Sequence, residues 1–178
     1  ESSAASDVYK RQELLDLKFL FIRGIPPRDI LKVENLYPYG DYKYSDLSDN
    51  KILQDKTVYL MPNAAGYKIK AIISGHGHAG PHNCCEWDSK NHTYYKVENQ
   101  NNQSGKRSTW ELFRWNVWKD CGNNPIYPQG GTWPYDRAGW WPGTIVVEFV
   151  FELTDLVNPG ETISIDYEIE KMIDENEN

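Results

Sequence analysis

The amino-acid sequence predicts an all-β fold, an antiparallel jelly-roll β-sandwich built as a single domain. Three observations carry this. Short apolar or alternating segments recur at spacings of roughly ten to twenty residues, with Gly, Pro and Asn between them. No segment carries an apolar stripe at helical spacing with caps at its ends. Aromatic residues make up 13% of the 178 positions, seven of them Trp and twelve Tyr. Such a load fills β-cores and also lines sites for flat or apolar ligand faces, sugars among them.

Taken in order, LLDLKFLFIRGIPP (14–27) reads as an apolar strand stopped by Gly-Ile-Pro-Pro, and DILKVENLYPYG (29–40) as a second ending in a Pro/Gly turn. KTVYLMP (56–62) is a third. YKIKAIISGHG (67–77) alternates and then turns fully apolar, as a strand entering a core does. HTYYKVE (92–98) and TWELFRWNVWK (109–119) alternate with period two, joined by the polar excursion 98–109. TIVVEFVFELT (144–154) and ETISIDYEIE (161–170) complete the strands. The long turn-rich stretch 123–143 is a functional-loop candidate, because loops of that length inside a compact domain usually carry function. The tail 174–178 is polar.

The first residues stand apart. DVYKRQ (7–12) is the literal translation of GAT GTG TAT AAG AGA CAG, the transposon end used in sequencing libraries. Residues 1–12 are therefore set aside as an unstructured scar, the natural protein is expected to begin near Glu13, and the domain is expected to span 13–173.

A net charge of −7 with dispersed acids argues against a nucleic-acid partner, which needs a concentrated basic face. The longest apolar runs, such as TIVVEFVF (144–151), are strand-sized and too short for a bilayer-spanning helix, so no membrane partner is expected.

All four histidines and two of the three cysteines fall in SGHGHAGPHNCCEWDSKNH (74–92). His76 and His78 stand two apart, so on a strand both imidazoles face one way, a possible metal half-site that His82 or Glu86 could extend. A His-x-His copper monooxygenase-like domain also needs a downstream Met. Met61 precedes the pair and Met172 lies in the tail, which weakens that alternative. A Cys nucleophile based on His82 lacks an orienting third group. Glu86, beside Trp87, is a carboxylate suited to acid–base chemistry.

The segments SGHGHAGPHNCCEW and FRWNVWKDCGNNPIYPQGGTWPYDRAGWWPG, with GIPPRDILKVENLY (24–37), resemble the C-terminal domain of the peptide-N-glycosidase F family. The resemblance covers nearly all of 13–170. It implies a jelly roll that pairs with a second, N-terminal jelly roll missing from this chain. It also implies hydrolysis of the amide between Asn and the first N-acetylglucosamine of N-linked glycoproteins, in a cleft between the two domains, without metal or cofactor. Localisation would be secreted or periplasmic. Carried over position by position, Glu86 matches the catalytic glutamate. Arg137 matches an arginine that pairs with the principal catalytic aspartate of the other domain. Trp87 and Trp140 match aromatics at the substrate cleft. The fragment alone would then be inactive, and a non-catalytic glycan-binding module of the same fold is the alternative. Two departures matter. Trp141 stands where the family usually has a cysteine bridged to the position of Cys121, so either Trp141 packs in its place or Cys121 pairs with Cys84 or Cys85. Asp88 stands where some members have a bridging cysteine.

Overall fold

The computed structural model describes residues 17–77, 85–98, 108–121 and 135–171. The proposed scar, His78, His82, Cys84, Met172, the centre of the 98–109 excursion, most of the 123–143 loop and the tail lie outside these. Contacts divide the chain into two units, Glu1–Ile30 and Leu31–Asn178, and this boundary falls inside the expected 13–173 domain.

The second unit holds the strands and helix. They are α1 (Tyr44–Ser48), β1 (Lys56–Tyr59), β2 (Lys68–Ile72), β3 (Asn91–Glu98), β4 (Ser108–Asn116), β5 (Glu148–Glu152) and β6 (Thr162–Ile169), with a 3-10 turn at Thr154–Leu156. Among the described residues the strands form two antiparallel sheets, ordered β1-β6-β3-β4 and β2-β5. This is the all-β antiparallel sandwich the sequence predicts.

Period-two patterning sets which side chains meet between the sheets. His92 and Tyr94 of β3, Phe113 and Trp115 of β4, and Ile163, Ile165, Tyr167 and Ile169 of β6 share one face through the strand register. The smaller sheet supplies Ile69 and Ala71 from β2 and Phe149 and Phe151 from β5. Trp115, tilted, and Phe113, stacked, lie against Phe151 with ring centroids 4.7 and 4.9 Å away, which closes the interior. β3 and β4 slip register between Tyr94 and Tyr95, where Leu112 is the extra residue of a bulge.

The other face of β6 is also covered. Asp166, fully buried, accepts a hydrogen bond from Asn50 Nδ2 (3.3 Å), and Ser164 Oγ meets Asp55 Oδ2 at 2.6 Å. Tyr37 and Tyr44 donate to the carbonyls of Ile165 and Glu170. The segment between Leu36 and Asp55, α1 included, is thus pinned along β6.

Three expectations differ from the structure. Residues 17–27 form no strand. Their Phe19, Leu20, Phe21, Ile22 and Ile25 are exposed, since no neighbouring strand among the described residues offers them a hydrogen-bonding ladder. Residues 29–40 form none either, although Leu36 and Tyr37 pack on the core as irregular chain. And α1 is a short helix where none was expected. At five residues it is too short to show a period, and no side chain caps its start.

His92 sits in the interior, its Nδ1 2.6 Å from Tyr167 Oη and its ring stacked on Trp115. Burial lowers its pKa from 6.5 to about 4, against the opposing pull of Glu170. The unfolded chain therefore binds a proton between those values while the folded chain does not. Stability falls as pH drops through that window and levels off for this group below pH 4. We expect the parent to lose about 3 kcal/mol more than His92→Gln between pH 7 and pH 4 in urea unfolding. Equal losses would remove His92 as the source.

Candidate functional site

The candidate site grows from glycines and loop backbone at one end of β2. Past β2 the chain runs through Ile73 to Gly77, and three segments lie against one another by main-chain hydrogen bonds. Gly75 N donates to Ala138 O (3.0 Å), Ala138 N to Glu86 O (3.0 Å), and Glu86 N to Gly77 O (3.1 Å). Arg137 and Lys119 exchange both of their backbone bonds, 2.7 and 3.1 Å, as an isolated antiparallel bridge. Val147 N donates to Gly139 O at 2.9 Å.

The contacts are close because glycine is there. A Cβ at Gly75 would stand 2.6 Å from the Cβ atoms of both Ala138 and Cys85. Gly139, at φ +75°, would push one into the Ile73 carbonyl oxygen.

On this frame Glu86, Trp87, Arg137 and Trp140 come together. Arg137 Nη1 lies 3.4 Å from Glu86 Oε1. The arginine side chain is only 3% exposed and the glutamate 15%. The guanidinium sits between two indoles, its Cζ 4.6 Å from the Trp87 ring centroid and 4.8 Å from that of Trp140. Arg137 Nε donates to Tyr135 O, and Trp140 Nε1 donates to Gly75 O (2.7 Å). The cation is thus oriented on several sides, and it holds one carboxylate at the edge of the loops. Within this chain Arg137 pairs with Glu86.

His76 stacks on Trp140, ring centroids 4.8 Å apart, and its Nε2 lies 3.0 Å from Ser74 Oγ. His78, the other half of the possible metal pair, lies outside the described residues. Among the described residues no group of three or more His, Cys, Asp or Glu side chains is arranged to hold a metal ion.

The loop lacks a bridge from Cys121. Its thiol is free and buried, so neither of the pairings left open for it is formed. Trp141 is fully buried against Cys121 in a small core of their own, which is the packing solution. Burial also raises the Cys121 pKa. Asp88 pairs with Lys90 at 2.8 Å near the surface.

Sequence reasoning missed Tyr135, Trp118 and Asp136. Together with Trp87 they line a shallow depression beside the pair. Trp118 and Tyr135 lie on segments that meet only in the fold, so neither stood out in the sequence.

Fold and site together define an antiparallel β-sandwich domain whose loops carry a carboxylate–guanidinium pair clamped by tryptophans. Residues 43–178 match the family model described as peptide-N-glycosidase F, C terminal. The chain belongs to the peptide-N-glycosidase F family, through that family's C-terminal domain. It is 30% identical over 158 residues to the peptide-N(4)-(N-acetyl-beta-D-glucosaminyl)asparagine amidase F of Elizabethkingia miricola. That match covers 76% of this chain and 42% of the relative. The solved structure of PNGase F, a glycosylasparaginase from Flavobacterium meningosepticum, superposes with a TM-score of 0.56 at 28% identity, covering 79% of this chain and 42% of that one. A recombinant peptide:N-glycanase F gives a TM-score of 0.55 at 28% identity, covering 79% and 41%. The chain thus spans about two-fifths of the length of these relatives.

Proposed function

We propose that this chain is the C-terminal half of a secreted or periplasmic amidase. The whole protein hydrolyses the bond between an Asn side chain and the first N-acetylglucosamine of an N-linked glycoprotein. The observation that carries this is the Glu86–Arg137 pair, 3.4 Å apart and flanked by two indoles. It supports the reading because an amide is a poor electrophile, so its hydrolysis needs a fixed, ionised group to orient water and substrate. Water adds to the amide carbonyl carbon, the C–N bond breaks, and the products are a peptide aspartate and a glycosylamine. In this scheme the carboxylate that deprotonates the water comes from a preceding domain. Glu86 holds that water or a sugar hydroxyl against it, Arg137 fixes the charge, and Trp87 and Trp140 offer faces to sugar C–H groups.

The test is to join the chain to the sequence encoded upstream of it and measure glycan release from a denatured glycoprotein. The joined protein is expected to release glycan, and the chain alone to release none. Glu86→Gln is expected to lower release by about 100-fold or more. No release by the joined protein, or undiminished release by the variant, would sink the proposal.

A further inference from the structure

We propose a second carbohydrate subsite on this domain: the open depression lined by Trp87, Trp118, Tyr135 and Asp136 binds a pyranose ring of the glycan beyond the sugars that face Trp140. The proposal rests on the amidase reading for its choice of ligand. Its lining has the two features a pyranose requires, apolar faces for its axial C–H groups and an acceptor for its rim hydroxyls.

Among the described residues, three of the four that line it are aromatic. Tyr135 is 60% exposed and meets Trp87 edge-on, centroids 6.0 Å apart at 88°, so the two rings form a corner rather than a filled stack. Asp136 supplies the carboxylate. One of its oxygens accepts the Cys121 N–H at 2.7 Å, which fixes the side chain in the wall. The other oxygen carries no hydrogen bond among the described residues. Trp118 is anchored by packing on the main core.

The depression is continuous with the site described above through one side chain. Trp87 carries the Arg137 guanidinium over its ring and also forms part of this lining, whereas Trp140 forms none of it. The Arg137 Nε–H bond to the Tyr135 carbonyl ties the two places together again. A chain of sugars starting at Glu86 therefore meets an aromatic corner on the next part of the surface.

The chain as it stands is titrated with N,N′-diacetylchitobiose and with a mannose-extended N-glycan core oligosaccharide, reading saturation-transfer NMR and tryptophan fluorescence. The longer sugar is expected to bind more tightly. Tyr135→Ala, an exposed position whose loss leaves the fold intact, is expected to weaken the longer sugar about tenfold and the disaccharide less than about twofold. Asp136→Asn, which can still accept the Cys121 N–H, is expected to show the same selectivity. Equal affinity of parent and Tyr135→Ala for the longer sugar overturns the subsite. So does binding of neither sugar, or binding of an aromatic peptide in preference to the oligosaccharide. The amidase reading fails by a different measurement, absent glycan release from the joined protein, so the two failures are told apart.

Discussion

Gly139→Ala is expected to unfold about 3–5 kcal/mol more readily than the parent, the sum of backbone strain and overlap. Gly139 has φ +75°, where an L side chain is strained before it touches anything. The added Cβ would also overlap the Ile73 carbonyl oxygen and come within 2.9 Å of Val117 Cγ1. Neither neighbour can give way cheaply. Ile73 directly follows β2, and Val117 is fully buried in the core. Thermal and urea unfolding measure the effect, and Gly160→Ala is the control. Gly160 has φ +79°, but its new Cβ would meet only Pro62 Cβ at an ordinary 3.5 Å, so about 1 kcal/mol is expected there. Equal losses at both positions would show that φ alone matters, and that the segments at Gly139 are not in tight contact.

Arg137→Met is the second large effect, about 3–5 kcal/mol of stability. Methionine keeps much of the volume between the indoles but removes the charge. Glu86 would then hold a largely buried carboxylate without its cation, and two cation–π contacts would go with it. The double variant with Glu86→Gln is expected to recover about 1–3 kcal/mol, because the orphaned charge is gone. A loss under about 1 kcal/mol for Arg137→Met, or strict additivity of the two changes, would mean that the 3.4 Å contact carries little energy.

Strand patterning was legible where a strand has neighbours on this chain. KTVYLMP, YKIKAIISGHG, TIVVEFVFELT and ETISIDYEIE each contain an observed strand, and HTYYKVE and TWELFRWNVWK each start one residue inside theirs. In β6 the alternation is blurred, because Ser164 and Asp166 on its second face are buried beneath the Leu36–Asp55 segment. LLDLKFLFIRGIPP misled because apolar content measures readiness to pair and says nothing of whether a partner strand is present. Glu86 stood out as a carboxylate beside Trp87, but the roles of Trp87, Arg137 and Trp140 came from resemblance and not from any local period. Their meeting depends on hydrogen bonds between segments more than fifty residues apart, such as Ala138 to Glu86, and such bonds leave no mark in either segment. Tyr135 was passed over because a lone tyrosine in a turn-rich loop is ordinary until its neighbours in space are known.

The glycine-lubricated seam between the strand-end segment and its two partner loops bears on how this domain can change. At Gly75 a single methyl would collide with Ala138 and with Cys85 at once, so that seam has no room for a side chain. Tyr135, hanging over solvent, is under no such constraint. For the proposed glycan site, Tyr135 is a position open to substitution and Gly75 is one that is not.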